Sequence, residues 1–199
     1  SKLSRNSAGK ATVEQIMAAN VDVIIVVMGL GGDFNLHRLE RWLVAAQQSG
    51  AAVMLLLSKC DLCADVEMEL QVIAQRIPEL KVQAVSVVTG EGIAIFAQSL
   101  ESTKTYVLAG SSGVGKSSLM NALLGGQIML TQAVREHDDK GRHTTTHRQL
   151  FCLPNGALLM DGPGIRELQL WADKKAVEDS FDDIRQLASE CRFGDCQHQ

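Results

Sequence analysis

The hydrophobic positions of this chain alternate between two rhythms. Val21–Met28 is a near-continuous β-branched and apolar run, the pattern of a strand buried on both faces of a parallel sheet. It is followed by Leu36, Leu39, Leu43 and Ala46 at helical spacing, with Asn35 placed to cap the helix and Gly50 to end it. Trp42 is expected to pack at that helix's edge. Ala52–Leu57 reads as a second buried strand. Asp65 opens a helix carrying Leu70, Ile73, Ala74 and Ile77, and Pro78 stops it. Val82–Val85 is a third strand, and Ile93, Phe96, Ala97 and Leu100 mark the next helix. Thr105–Ala109 is a short buried strand, and Ser117–Leu124 is a helix closed by Gly125-Gly126. Strands alternating with amphipathic helices predict a three-layer α/β fold around a mostly parallel sheet.

After Gly126 the rhythm breaks. Gln127–Arg142 is polar and aperiodic, as expected of a mobile loop. His147–Leu153 and Ala157–Met160 fit a hairpin around Pro154-Asn155-Gly156, because Asn-Gly suits a tight turn. A last helix near Lys174–Ala188 would put Val177, Phe181, Ile184 and Ala188 on one stripe. Ser1–Thr12 is small, polar and glycine-containing, and reads as a linker or the frayed edge of a further domain.

Composition narrows the classes. A length of 199 residues with 46% hydrophobic content supports one good core, or one core plus a small appendage. A net charge of −4 advertises no nucleic-acid surface, although Lys2, Arg5 and Lys10 make the opening stretch basic. The apolar runs are too short to span a membrane, and no signal peptide is visible. Five unevenly spread cysteines fit a reducing compartment, so a cytoplasmic protein is expected.

The most specific stretch is Gly110-Ser111-Ser112-Gly113-Val114-Gly115-Lys116-Ser117, which matches the phosphate-binding loop pattern between a strand and a helix. The glycines let the backbone curl so that successive N–H groups point at phosphate oxygens, and the helix N-terminus adds to the field. Lys116 would reach the β and γ phosphates, Ser117 would ligate Mg²⁺, and Ser118 would also lie at the loop. Asp161-Gly-Pro-Gly164 follows the expected hairpin: Asp161 can hold Mg²⁺ through water, and the Gly164 N–H can feel the γ-phosphate. Thr144-Thr145-Thr146 closes the polar loop. Thr145 is the favoured ligand for Mg²⁺ and the γ-phosphate, while β-propensity at a strand start explains the same three residues.

Two further loops concern the base. Ser58-Lys59-Cys60-Asp61 resembles the Asn-Lys-x-Asp signature of guanine recognition, in which a carboxylate accepts two donors from the guanine edge. Adenine would leave that carboxylate unpaired and be rejected. Asp61 takes that role, and the Lys59 stem would cover the base. Ser58 departs from the signature, since it makes one bond where Asn makes two; a plain polar loop after a strand is the competing reading. Ser86 and Val87 open the small-residue stretch Ser86–Gly90, whose backbone N–H would meet the base oxygen. These base loops precede the phosphate loop, the reverse of most GTPases. Cutting and rejoining the sheet in this way keeps the pocket and moves the termini.

Cys191, Cys196 and His198 put three zinc ligands into the last nine residues, one short of a closed tetrahedral site; an unliganded tail is the alternative. Cys60 and Cys63 have metal or redox spacing but sit in the base loop and read as incidental. Cys152 reads as a small core residue of a strand.

With these residues in view, the chain resembles the circularly permuted, ribosome small-subunit-dependent GTPases of the RsgA/YjeQ family. The carriers are AANVD at 18–22, DFNLHRLERWLVAA at 33–46, SKCDL at 58–62, GSSGVGKSSLMNALLG at 110–125, GRHTTTHRQL at 141–150, DGPGIRELQLW at 161–171 and CRFGDCQH at 191–198. The resemblance implies a permuted P-loop GTPase domain over 13–172, preceded by an oligonucleotide-binding barrel for which 1–12 is the trailing linker. It also implies a zinc subdomain beginning at 173–199, whose fourth ligand is a Cys beyond the His. GTP and GDP are the implied ligands, with one Mg²⁺ and one structural Zn²⁺. The small ribosomal subunit and its rRNA are the implied partners, met mainly through parts outside this chain, and the chain is expected to be a monomer. Ras-like enzymes carry a Gln after the Asp-x-x-Gly turn to orient water. Ile165 stands there instead, so slow intrinsic hydrolysis is expected, with His143 or Arg142 as internal candidates for the catalytic group and a solvated loop as the plain alternative. An ATPase or small-molecule kinase, and a docking module using nucleotide only as a prop, are the rival functions.

Overall fold

The computed structural model describes residues 2–6, 14–30, 32–126 and 149–164. Its centre is a six-stranded sheet in the order β5-β4-β3-β6-β8-β7. The strands are β3 (Val23–Gly29), β4 (Ala52–Ser58), β5 (Lys81–Ala84), β6 (Thr105–Gly110), β7 (Leu150–Cys152) and β8 (Leu158–Gly164). All neighbours are parallel except β7 against β8. Helices α1 (Leu36–Ser49), α2 (Val66–Arg76), α3 (Ile93–Ser99) and α4 (Lys116–Leu124) join the parallel strands.

Both faces of the central strands are buried, and successive residues divide between them. Ile24, Val26 and Met28 join Leu39, Trp42 and Ala46 of α1 and Ile73 of α2. Ile25 and Val27 join Phe96 of α3 and Leu119, Met120 and Leu123 of α4 on the opposite face. This is the expected three-layer sandwich. Each fully buried aliphatic side chain contributes about 1.5–3 kcal/mol, so the continuous apolar runs specify the sheet's interior strongly.

The helix limits follow local chemistry. The Asn35 side chain accepts from the Arg38 N–H at 3.0 Å, and Gly50 ends α1 in the left-handed region at φ 69°. Asp65 caps α2 in the same manner, through the Met68 N–H at 3.0 Å.

Three placements differ from expectation. Lys2–Asn6, read as linker, is a strand (β1) paired antiparallel with β2 (Glu14–Ala19). Strand β1 packs against α1, and Trp42 of that helix is 1% exposed in the core rather than at an edge. The hairpin around Pro154-Asn155-Gly156 is as expected: Leu153 and Ala157 pair across the three-residue loop, of which Gly156 alone takes positive φ, at 90°. Cys152 is exposed rather than core, because β7 is an edge strand whose middle residue, Phe151, turns inward while Leu150 and Cys152 turn out.

The strand order locates the site. The chain builds outward from β3 to β4 and β5, then returns to add β6 on the other side of β3. Loops leaving β3 and β6 at their carboxyl ends therefore diverge to opposite faces, which opens the crevice where such sheets bind ligands.

Candidate nucleotide-binding site

The phosphate loop leaves β6 at that crevice. A side chain at Gly110 would collide with the Val27 carbonyl oxygen on β3, so only glycine lets the two strands approach here. Gly115, at φ 100°, caps α4 from the left-handed region and sets the turn that aims the helix at the loop. Ser111, Val114 and Lys116 are buried, Ser112 and Gly113 are exposed, and Ser117 and Ser118 lie half-buried in the first turn of α4. Lys116 Nζ donates to the carbonyls of Gly110 at 3.0 Å and Ser111 at 2.7 Å.

Burial dominates the electrostatics. It pushes the Lys116 amine below its ordinary range, against the pull of Asp161 and Asp33, which favour the charged form. It also pushes the Asp161 carboxyl up, with Lys116 opposing. Asp161 is 3% exposed at the middle of β8, and Gly164 pairs in register with Gly110, so the second half of β8 runs toward the start of the phosphate loop. The hydroxyl of Ser117 and the carboxylate of Asp161 are hard oxygen donors and suit Mg²⁺.

A raised folded pKa means the folded chain holds a proton on Asp161 that the unfolded chain releases from its ordinary value of 3.8. Its contribution favours folding on the acid side and is lost as pH rises through the raised value. At neutral pH the buried charge therefore burdens the fold. Asp161→Asn is expected to melt at higher temperature than the parent near pH 7 without nucleotide, with the difference vanishing on acidification; a lower neutral melting temperature overturns this.

The base loops are stitched to this centre. Ser58, 5% exposed at the end of β4, donates from Oγ to the Val114 carbonyl of the phosphate loop at 2.7 Å, with the Met28 carbonyl at 3.3 Å. The single hydroxyl proton thus bridges the end of β4 to the phosphate loop. Lys59 holds φ 58°, uncommon for a non-glycine residue. Asp61 is exposed in the 3-10 turn Cys60–Leu62, and Ser86 Oγ donates to its Oδ1 at 2.5 Å. Ser86 is fully buried and also receives the Thr89 N–H at 3.2 Å, which fixes the second loop against the first. Val87 is exposed beside it. Cys60 is buried, its thiol pushed up by burial and by Glu91 and Asp61, hence protonated and unreactive.

Convergence shows at Gly29. A Cβ there would lie 3.6–3.7 Å from Lys59, Val114 and Asp33, three loops at one point. Asp33 and Arg38 were not anticipated from the sequence. Arg38 contacts Ser111 of the phosphate loop, 73 positions away. The one signal was a cation in the first turn of a helix, where the dipole disfavours it. Thr145, His143, Arg142, Cys191, Cys196 and His198 lie outside the described residues. No cluster of three or more His, Cys, Asp or Glu fit for a metal occurs among the described residues.

A family model described as RsgA GTPase matches residues 1–171. The chain belongs to the RsgA GTPase family. A small ribosomal subunit biogenesis GTPase RsgA of Opitutus terrae is 47% identical over 98% of this chain and 54% of its own length. A second RsgA, of Vibrio parahaemolyticus, is 44% identical over 100% of this chain and 56% of its own. The chain thus spans a little over half the length of these curated relatives. Among solved structures, YjeQ of Thermotoga maritima aligns with a TM-score of 0.64 and 26% identity, over 90% of this chain and 60% of that one. YloQ, described as a circularly permuted GTPase, aligns with a TM-score of 0.61 and 26% identity, over 90% and 57%. The RsgA fold is thus the expected one: a permuted, mostly parallel P-loop GTPase sheet between helical layers.

Proposed function

We propose that this chain is the GTP-hydrolysing switch of an RsgA protein that acts in the cytoplasm, in late maturation of the small ribosomal subunit. The carrying observation is the Ser58 hydrogen bond to Val114, which ties the guanine-reading segment to the phosphate loop across a permuted chain. Residues 13–172 form the GTPase domain, and 173–199 begin a zinc-binding subdomain with Cys191, Cys196 and His198 as ligands.

Gly110–Ser118 wraps the phosphates with inward N–H groups and Lys116, while Asp61 accepts the guanine donors with Ser86 holding one of its oxygens. Ser117, Asp161 and Thr145 would hold a Mg²⁺, which would supply positive charge to offset that of the phosphates. Thr145 and Gly164 report the γ-phosphate. With Ile165 unable to orient water, the isolated chain turns over slowly, and ordering of the Thr145 segment by the ribosomal subunit, with His143 as internal candidate, supplies the missing step. No helix among the described residues is long and apolar enough to cross a membrane.

Titrating GTP, GDP and ATP onto the chain tests the reading. Guanine nucleotides are expected to bind about 10³-fold or more tighter than ATP, since adenine lacks the two donors and leaves the Asp61 carboxylate unpaired. Equal binding of ATP and GTP defeats it. Single-turnover hydrolysis with and without small subunits tests the switch; fast turnover by the isolated chain defeats that part.

A further inference from the structure

Arg38 occupies the first turn of α1, where the helix dipole works against a cation and no acidic residue shares the turn. Its charge is held by other groups. Nη2 lies 3.0 Å from Asp33 Oδ1 and also meets the Asp33 backbone carbonyl, while Nη1 donates to Ser111 Oγ at 2.7 Å. The Arg38 side chain is 16% exposed, so water competes little for the guanidinium. The two loops so joined are those leaving β3 and β6, the pair that opens the crevice at the reversal of strand order.

Ser111 has a second duty. Its carbonyl, with that of Gly110, receives the Lys116 ammonium. Asp33, Arg38, Ser111 and Lys116 thus form a continuous chain of contacts from the β3–α1 loop to the phosphate-binding lysine. Arg38 reaches Asp33 from Nη2 and Ser111 from Nη1, a spread across a planar fork that a Lys ammonium, with all its donors on one atom, does not reproduce.

We propose that Arg38 is a positioning residue for nucleotide binding: it clamps Ser111, and with it the start of the phosphate loop, to the Asp33 loop. The loop is thereby pre-ordered, and binding costs less conformational freedom. This inference rests on the nucleotide-binding reading above and adds a residue outside its motifs.

The test is a set of GDP titrations on the full 199-residue chain: parent, Arg38→Met, Arg38→Lys, Ser111→Ala and the double variant Arg38→Met/Ser111→Ala. Loss of one charge-assisted, largely buried hydrogen bond is expected to raise the Kd of Arg38→Met about fivefold to tenfold. Arg38→Lys is expected to stay weak, because charge without the fork does not join the loops. The double variant is expected to bind no more weakly than the worse single one, the mark of a shared interaction. Parent-like affinity in Arg38→Met, full rescue by Lys, or strictly additive losses each overturn the proposal. Ligand-free melting followed by circular dichroism corrects each Kd for the folded fraction, and a loss that disappears on correction overturns it too. If the parent itself binds no GDP, the functional reading falls and this inference with it; if the parent binds and the variants match it, this inference alone falls.

Discussion

Lys116→Ala is expected to raise the Kd for both GTP and GDP by about 10² or more. Lys116 is 8% exposed, and its ammonium is held by two backbone carbonyls at the start of its own loop. Burial already makes its charge costly, and the neighbouring carboxylates of Asp161 and Asp33 offset that only in part. A polyphosphate brings the compensating charge to the ammonium in a site shielded from water. Removing one member of a buried, hydrogen-bonded charge pair costs about 2–5 kcal/mol, or about 30-fold to 4,000-fold in affinity. Lys116→Met, which keeps the buried stem, is expected to lose as much, and so separates charge from packing. The lowered pKa adds a pH signature. Only the protonated amine binds phosphate, so affinity is expected to fall as pH rises through a value below the ordinary 10.5, earlier than for a solvated lysine. Fluorescence titration with a labelled GDP reads both effects, and a Kd within fivefold of the parent removes Lys116 from the site.

What the sequence disclosed and what it hid have separate physical causes. Strands with both faces buried show themselves as continuous apolar runs, and helices with side-chain caps are set by bonds between near neighbours. Val23–Gly29, Ala52–Ser58 and the caps at Asn35 and Asp65 were legible for that reason. The phosphate loop was legible because its backbone path demands glycine at set positions. Lys2–Asn6 was hidden because its stabilisation comes from pairing with Glu14–Ala19 and not from its own polar composition. Cys152 was misplaced because a three-residue edge strand carries too few positions to show which face is covered. The Arg38–Ser111 clamp was invisible for a topological reason. It joins two loops that adjoin only because the strand order reverses between β3 and β6. The bridge from Ser58 to Val114 has the same origin: it joins segments 56 positions apart. The permuted order of motifs, by contrast, could be read along the chain, since each base loop follows its own buried strand.

Asp61→Asn is expected to abolish guanine selectivity, with the Kd for GDP rising about 10³-fold and that for xanthosine diphosphate falling. The Asp61 carboxylate is exposed toward solvent yet oriented, because fully buried Ser86 donates to its Oδ1 at 2.5 Å and Ser86 is itself fixed by the Thr89 N–H. Such a carboxylate presents acceptors only, and guanine meets it with two donors at adjacent ring positions. The Asn amide keeps an oxygen for the Ser86 hydroxyl, so the loop retains its internal bond. Its other arm becomes a donor and faces the guanine amino group donor to donor. Xanthine carries a carbonyl in place of that amino group and restores the match. Sites that hydrogen-bond a substrate discriminate by about 10⁴–10⁵ against a ligand that leaves buried polar groups unpaired; an exposed carboxylate that water can partly re-satisfy discriminates less. The exchange of preference is the decisive readout, because a damaged fold weakens every nucleotide alike. If GDP and xanthosine diphosphate weaken together, Asp61 does not read the base, and the Ser58–Asp61 loop serves only to hold Val114.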